Sequence, residues 1–208
     1  MYPIDLTVPE TERGLALELG ARWHAKYEVW YVPRTFNAQP LGRWLTARAF
    51  PNIRSNSLWL ARVFGTCPWC ENSIPMHGLI LPAGHRVLCP ADEPEEDVWE
   101  IAEEPSQLYE VGYLGAPLQA ALQAHAPTYR LGYSEVLERF CWINHCRHCR
   151  GLIEDEACAL EFGSPLNPLD EIMAARITLQ ELRVEVEVSC ARYSCGVELF
   201  EEMPRWCT

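Results

Sequence analysis

No stretch of this chain approaches the roughly 20 consecutive apolar residues that a membrane-spanning helix requires. The opening Met1-Tyr2-Pro3-Ile4-Asp5 has neither the basic start nor the apolar run of a secretory leader. A Ser/His/Asp set, a paired-carboxylate signature, a phosphate-cradling glycine loop and a His-Glu-x-x-His pair are all missing, so neither hydrolysis nor phosphoryl transfer is expected. Positive charge is scarce: 17 Lys and Arg stand against 29 Asp and Glu, a net charge of −12. These absences lead us to expect a cytoplasmic, non-enzymatic protein with no membrane partner.

The deficit of positive charge is uneven. Residues 1–62 hold eight Lys/Arg and five Asp/Glu, a balance of +3, while residues 63–208 hold nine and 24, a balance of −15. An acidic body of that size repels nucleic acid at long range and favours basic partners or plain solubility; a solvated surface with no charged partner is the competing reading, and the commoner one for charge runs. Contact with a phosphate backbone is therefore expected only in the first sixty residues. There Arg22, Lys26, Arg34 and Arg43 could meet phosphate and Trp23 could stack on a base. The competing role for Trp23 and Trp30 is packing in a small core.

Cysteine, by contrast, is abundant, with ten in 208 residues. In a reducing compartment close pairs read as metal ligands or redox centres, not as a disulfide framework. Cys67-Pro68-Trp69-Cys70 and Cys146-Arg147-His148-Cys149 are two such pairs. Together they would give four thiolates to one tetrahedral ion with no open position, a structural zinc site. On spacing alone the local pattern Cys67, Cys70, His85 and Cys89 competes, because 75 residues separate Cys70 from Cys146. A long interval is tolerable when it is itself folded, since closure entropy grows only logarithmically with length. Cys190, Cys195 and Cys207 are candidates for a second site, although a four-residue gap is poor geometry; these and Cys141 and Cys158 otherwise read as small buried apolar residues.

The first pair also resembles a glutaredoxin-like centre, which would make Cys67 and Cys70 a thiol oxidoreductase site. That chemistry needs a helix beginning at the first thiolate. Pro75 falls where such a helix would run.

Along the chain, Ile4–Val8 alternates as a strand, and Pro9, Glu10 and Glu12 suit a helix start. Leu15 and Leu19 then mark an apolar helix side, Gly20 a left-handed cap, and Lys26–Val32 a second strand, with a short helix around Leu41–Leu45. Further strands are expected at Leu58–Phe64, Gly78–Leu81, Val98–Ile101 and Leu108–Leu114, and a helix at Pro117–His125. Residues 92–97 form an acidic loop. Ile177–Leu179 and Leu182–Val188 read as a strand pair, the second a half-exposed sheet edge. The expected fold class is α+β: a β-α-β unit at 1–46, a bridge at 47–66, and a mostly β zinc-ribbon-like domain at 67–208 with an acidic insert at 71–145.

The strings Leu19-Gly20-Ala21-Arg22-Trp23 and Trp30-Tyr31-Val32-Pro33, with Leu41 and Trp44, resemble a small bacterial module known only as a domain of unknown function. It is often found in plasmid-borne and primase-associated proteins. Its members often continue with a Cys-Trp-x-Cys and, much later, an Asn-His-Cys-x-x-Cys knuckle. Cys67–Cys70 and Asn144–Cys149 resemble both. The resemblance implies a zinc-ribbon protein and favours the crossing site of Cys67, Cys70, Cys146 and Cys149 over the local one. In that family glycine usually follows the second knuckle directly; here Arg150 intervenes before Gly151. The Gly-Ala-Arg-Trp and Trp-Tyr-Val-Pro strings are also similar to accessory domains of DNA-annealing helicases. None of this supplies an activity. The function expected is that of a structural-zinc protein acting as a regulatory, adaptor or inhibitor/immunity protein on a protein partner, with nucleic-acid binding and thiol oxidoreduction as alternatives.

Overall fold

The computed structural model describes residues 4–25, 28–32, 41, 44, 51–89, 98–137 and 139–206. Its N-terminal unit comprises strand β1 (Ile4–Leu6), helix α1 (Arg13–Glu18) entered through a 3-10 turn at Glu10–Glu12, and strands β2 (Arg22–His24) and β3 (Val29–Val32). The expected β-α-β unit is corrected here. β3 pairs antiparallel with both β1 and β2, giving the order β1-β3-β2. The cause is the β2–β3 hairpin, unread in the sequence, which reverses the chain so that Trp23 stands opposite Trp30. Gly20 caps α1 at φ +98°, as expected. Its inward residue, however, is Ala16, which packs with Leu6, Trp30 and Val32, while Leu15 faces outward. The helix expected around Leu41–Leu45 lies outside the described residues apart from Leu41 and Trp44, both buried in that same cluster.

The rest overturns the expected zinc-ribbon domain with an insert. An eight-stranded antiparallel sheet runs in the order β13-β5-β6-β9-β14-β4-β7-β8. Its strands are β4 (Ile53–Ser55), β5 (Leu58–Thr66), β6 (Ser73–Leu81), β7 (Arg86–Cys89), β8 (Val98–Ile101), β9 (Ser106–Leu114), β13 (Thr178–Leu182) and β14 (Val186–Tyr193). The supposed bridge, insert and tail all supply strands to this one ladder, so the molecule is mostly β. Between β9 and β13 lie helix α2 (Ala116–His125), a second sheet of order β10-β11-β12 (Tyr129–Ser134, Arg139–His145, Leu152–Ile153) and a short helix α3 (Glu171–Ala174). The acidic loop expected at 92–97 lies outside the described residues.

Both faces of the central strands are covered. Leu58, Leu60, Leu79 and Leu81 join one core cluster with Leu118 and Leu122 of α2, one turn apart on its buried side. Ala61, Val63, Ile74, Met76 and Ile80 join the other. A strand buried on two faces reads as a near-continuous apolar run, which is why β5 and β6 are legible. The expected strand at Leu182–Val188 is corrected in place: β13 ends at Leu182, and Val186 and Val188 open β14. That strand lies between β9 and β4, so it is not an edge, and three strands separate it from β13. Its acidic alternation survives at Glu187, which faces Arg54 across the ladder at 3.2 Å.

Asn52, fully buried, acts as an additional peptide unit at the start of β4. Its backbone N–H donates to the Val188 carbonyl at 2.9 Å, and its carbonyl accepts from the Leu88 N–H at 2.8 Å. Its side chain completes the seam: Nδ2 donates to the Cys190 carbonyl at 2.8 Å and Oδ1 accepts from the Cys190 N–H at 3.0 Å. A second buried polar contact lies nearby in β9. Glu110 takes a left-handed φ of +51°, and its N–H donates to Asp155 Oδ2 at 2.6 Å. Burial, only partly offset by that hydrogen bond, raises Asp155 to about 6 from 3.8.

Two outcomes follow. Asn52→Ala strands two backbone groups of Cys190 and should cost about 2–4 kcal/mol in chemical denaturation. For Asp155 the folded state binds its proton more tightly than the unfolded chain. Its contribution to stability is therefore complete below about pH 4 and is lost as pH rises through about 6. Asp155→Asn should accordingly raise stability at pH 7.5 by about 1–3 kcal/mol and much less at pH 4, read from paired denaturation curves.

Candidate metal centre

Two hairpin tips carry the paired cysteines. β5 and β6 are joined through residues 67–72, and β11 and β12 through residues 146–151. The tips are built alike. The Cys67 N–H donates to the Asn72 carbonyl and the Glu71 N–H to the Cys67 carbonyl, both at 2.9 Å. In the other hairpin Cys146 donates to Gly151 and Arg150 to Cys146, again at 2.9 Å. Glu71 and Arg150 occupy the same left-handed position, at φ +60° and +65°. Arg150, the residue that interrupts the expected knuckle-glycine sequence, therefore adopts the conformation that favours glycine, and the turn is preserved.

The tips face each other so that the ligand atoms of Cys67, Cys70, Cys146 and Cys149 all lie within 4.8 Å of one another. Across the seam Cys67 Sγ is 3.7 Å from Cys149 Sγ, and Cys70 Sγ is 3.6 Å from Cys146 Sγ. A tetrahedral zinc with 2.3 Å Zn–S bonds sets sulfurs about 3.8 Å apart, so the thiols fit such an ion closely. Cys67 and Cys146 are buried, Cys70 is half-buried and Cys149 is exposed. Donors converge on the sulfurs: Asn72 Nδ2 on Cys70 at 3.3 Å, the His148 N–H on Cys146 at 3.4 Å and the Gly151 N–H on Cys149 at 3.4 Å. The hydrogen bond from Asn72 is the main reason Cys70 is lowered to about 6, so its thiolate is accessible at neutral pH. The set can hold one metal ion with no open position.

Two side chains, Asn144 and Trp69, hold the tips in register. Asn144 of β11 behaves as a peptide group toward β6: Oδ1 accepts from the His77 N–H and Nδ2 donates to the His77 carbonyl, each at 2.8 Å. Trp69, between the first two cysteines, reaches across to the other hairpin, where Nε1 donates to the Leu152 carbonyl at 2.8 Å. Its indole lies on Gly151, where an added Cβ would stand 2.4 Å from Cδ1. The signal for Asn144 was present in the Asn-His-Cys string itself. Trp69 and Gly151 become meaningful only once the tips are seen to meet.

The other candidates fall elsewhere. His85 is buried with Nδ1 on the Pro82 carbonyl at 2.8 Å, and Cys89 lies at the end of β7, so the local grouping is not assembled. Cys190 is buried and Cys195 exposed, Cys207 lies outside the described residues, and among the described residues the four-thiol group is the one metal-capable cluster. Cys141 and Cys158 are buried, and burial pushes the Cys141 thiol up to about 12. After Cys70 the chain enters strand β6, without the helix that a glutaredoxin-like thiolate uses. In the N-terminal unit Arg22 is exposed and Trp23 is 46% exposed, its ring 5.7 Å from that of the buried Trp30. Lys26, Arg34 and Arg43 lie outside the described residues.

Residues 4–46 match the family described as Domain of unknown function (DUF5710). That match covers the N-terminal unit and stops before the cysteines. No curated protein and no solved structure matches the chain. Among the described residues no helix is long and apolar enough to cross a membrane.

The contact between the tips predicts that Gly151→Ala forces the Trp69 indole off its seat. Metal affinity should fall about 10-fold or more, while a Trp69→Ala, Gly151→Ala double variant recovers part of the loss.

Proposed function

We propose that this is a non-enzymatic cytoplasmic protein in which Cys67, Cys70, Cys146 and Cys149 hold one structural zinc ion, and whose acidic body binds a basic protein partner as a regulatory, adaptor or inhibitor/immunity protein. The observation that carries the metal half is the closed set of four thiols within 4.8 Å, contributed by two hairpins 75 residues apart. Four thiolates leave no position for water or substrate, so the ion would add to folding free energy and not to chemistry. Zinc is preferred because soft thiolates in a tetrahedral set suit it. The partner half rests on the −15 balance of residues 63–208, which attracts basic proteins and repels phosphate backbones.

Nucleic-acid binding through the N-terminal unit is the second reading, supported by the exposure of Trp23 beside Arg22. Single-stranded DNA would then bind with an affinity that falls steeply with salt and with Arg22→Ala. Absence of binding at low salt excludes it.

Protein purified from a reducing host should carry one zinc per chain by elemental analysis. Cys67→Ser and Cys146→Ser should each abolish it. Chelation should destabilise the fold by several kcal/mol, because the ion binds the folded chain and its binding free energy is lost (roughly 4 kcal/mol already at a free metal concentration about 1,000 times the Kd). Zinc retained by Cys146→Ser would overturn the crossing site.

A further inference from the structure

Away from the thiols, a cavity of about 310 Å³ opens between β9, β11, β14 and the segment that follows β12. One wall is apolar, formed by Val136, Leu137, Trp142, Ile143 and Leu160; the other carries Glu110, Glu154, Asp155, Glu156 and Glu161. The acids divide into two groups. Glu110 and Asp155 are committed internally: the Glu110 carboxylate meets Arg139 Nη2 at 2.7 Å and Arg192 Nη1 at 3.7 Å, and Asp155 holds the Glu110 N–H. Among the described residues no cation pairs with Glu154, Glu156 or Glu161. Among the described residues Arg192 alone supplies positive charge to the lining, so the cavity has an excess of negative charge beside its apolar residues.

That wall continues onto the surface. Leu131 stands opposite Trp142 and Tyr133 opposite Phe140 on adjacent strands, and the Tyr133 and Phe140 rings meet edge to face at 5.3 Å. Leu131, Tyr133 and Phe140 are each about 40% exposed, and Val136, at the cavity mouth, is 72% exposed. Beside them β10 is an edge strand of its sheet, with one side unpaired in the ladder. Strand edges of this kind accept an added extended chain.

We propose that this cavity receives an arginine or lysine side chain of a basic partner peptide, whose neighbouring apolar residues lie on the strip of Leu131, Tyr133 and Phe140. The uncommitted carboxylates would pair with the cation, and the apolar lining residues would pack along its aliphatic stem. A volume at the lower limit for ligand pockets suits one long side chain better than a whole drug-sized molecule. The exposed strip and open strand edge extend the site in the manner of a peptide, not of a free amine. This assignment rests on the basic-partner reading above and places it on one surface.

The test uses the zinc-loaded full chain and a short extended peptide with a central arginine between leucines. Titration is followed by calorimetry and by backbone resonance shifts. The assignment expects shifts at Val136, Trp142 and Leu160, and at least 10-fold weaker binding when arginine is replaced by uncharged citrulline. The double variant Glu156→Gln, Glu161→Gln should weaken binding to a similar extent with an unchanged melting temperature, since both side chains are exposed. Equal affinity for the citrulline peptide overturns the assignment, as does equal affinity for spermidine, which would mark a small-polyamine site. Shifts that map to another face overturn the cavity while leaving a basic partner standing. No binding of either peptide at low salt removes both.

Discussion

The four thiols can meet because one side chain sews two sheets together. Asn144 presents its amide to His77 as if it were a peptide unit, and so extends the ladder of the large sheet sideways onto β11. The two hairpins so joined bring their tips together, where Cys67–Cys70 and Cys146–Cys149 form the turns. Asn52 performs the same service at β14, where its amide pairs with Cys190. Both asparagines are fully buried, and both satisfy backbone groups that no strand reaches. A buried amide with all its partners is specific in a way that apolar packing is not, because a shift of one residue leaves donors and acceptors stranded.

What the sequence disclosed follows a physical line. β5, β6 and β9 announced themselves because apolar runs covered on two faces are hard to read as anything else, and α2 because Leu118 and Leu122 repeat at helical spacing after Pro117. The knuckles were legible because thiol pairs at that spacing have few other uses in a reducing compartment. The order of strands was hidden. β14 lies beside β4 and β9, pairings set by residues more than a hundred positions apart or by a bulge near Ser189. No local pattern encodes such partners. The strands β4, β7 and β12 are two to four residues long, too short for an alternation to register. On α1 Ala16 turns inward into the cluster with Trp30, Leu19 packs partly against it, and the larger Leu15 is exposed, a division that the spacing of the two leucines does not reveal.

The metal-capable end and the acid-lined cavity are chemically unlike. At the first, N–H donors reach three of the sulfurs, and hydrogen bonds lower the Cys70 thiol to about 6. At the second, carboxylates and low polarity raise the thiol of Cys141 and the carboxyl of Asp155.

The strand order also governs when this molecule can become whole. β4 near residue 53 and its neighbour β14 near residue 188 are joined directly, with Asn52 and Cys190 the clasp. During synthesis the large sheet cannot close until nearly the entire chain has left the ribosome. The β5–β6 hairpin, formed early and locally, must then wait with two bare thiols for a partner almost eighty residues behind it. In that interval Cys67 and Cys70 are a half-site open to any soft metal or oxidant. A high fraction of such distant pairings slows folding, so the two thiols of the first hairpin stay without their counterparts for longer than the size of the chain alone would demand.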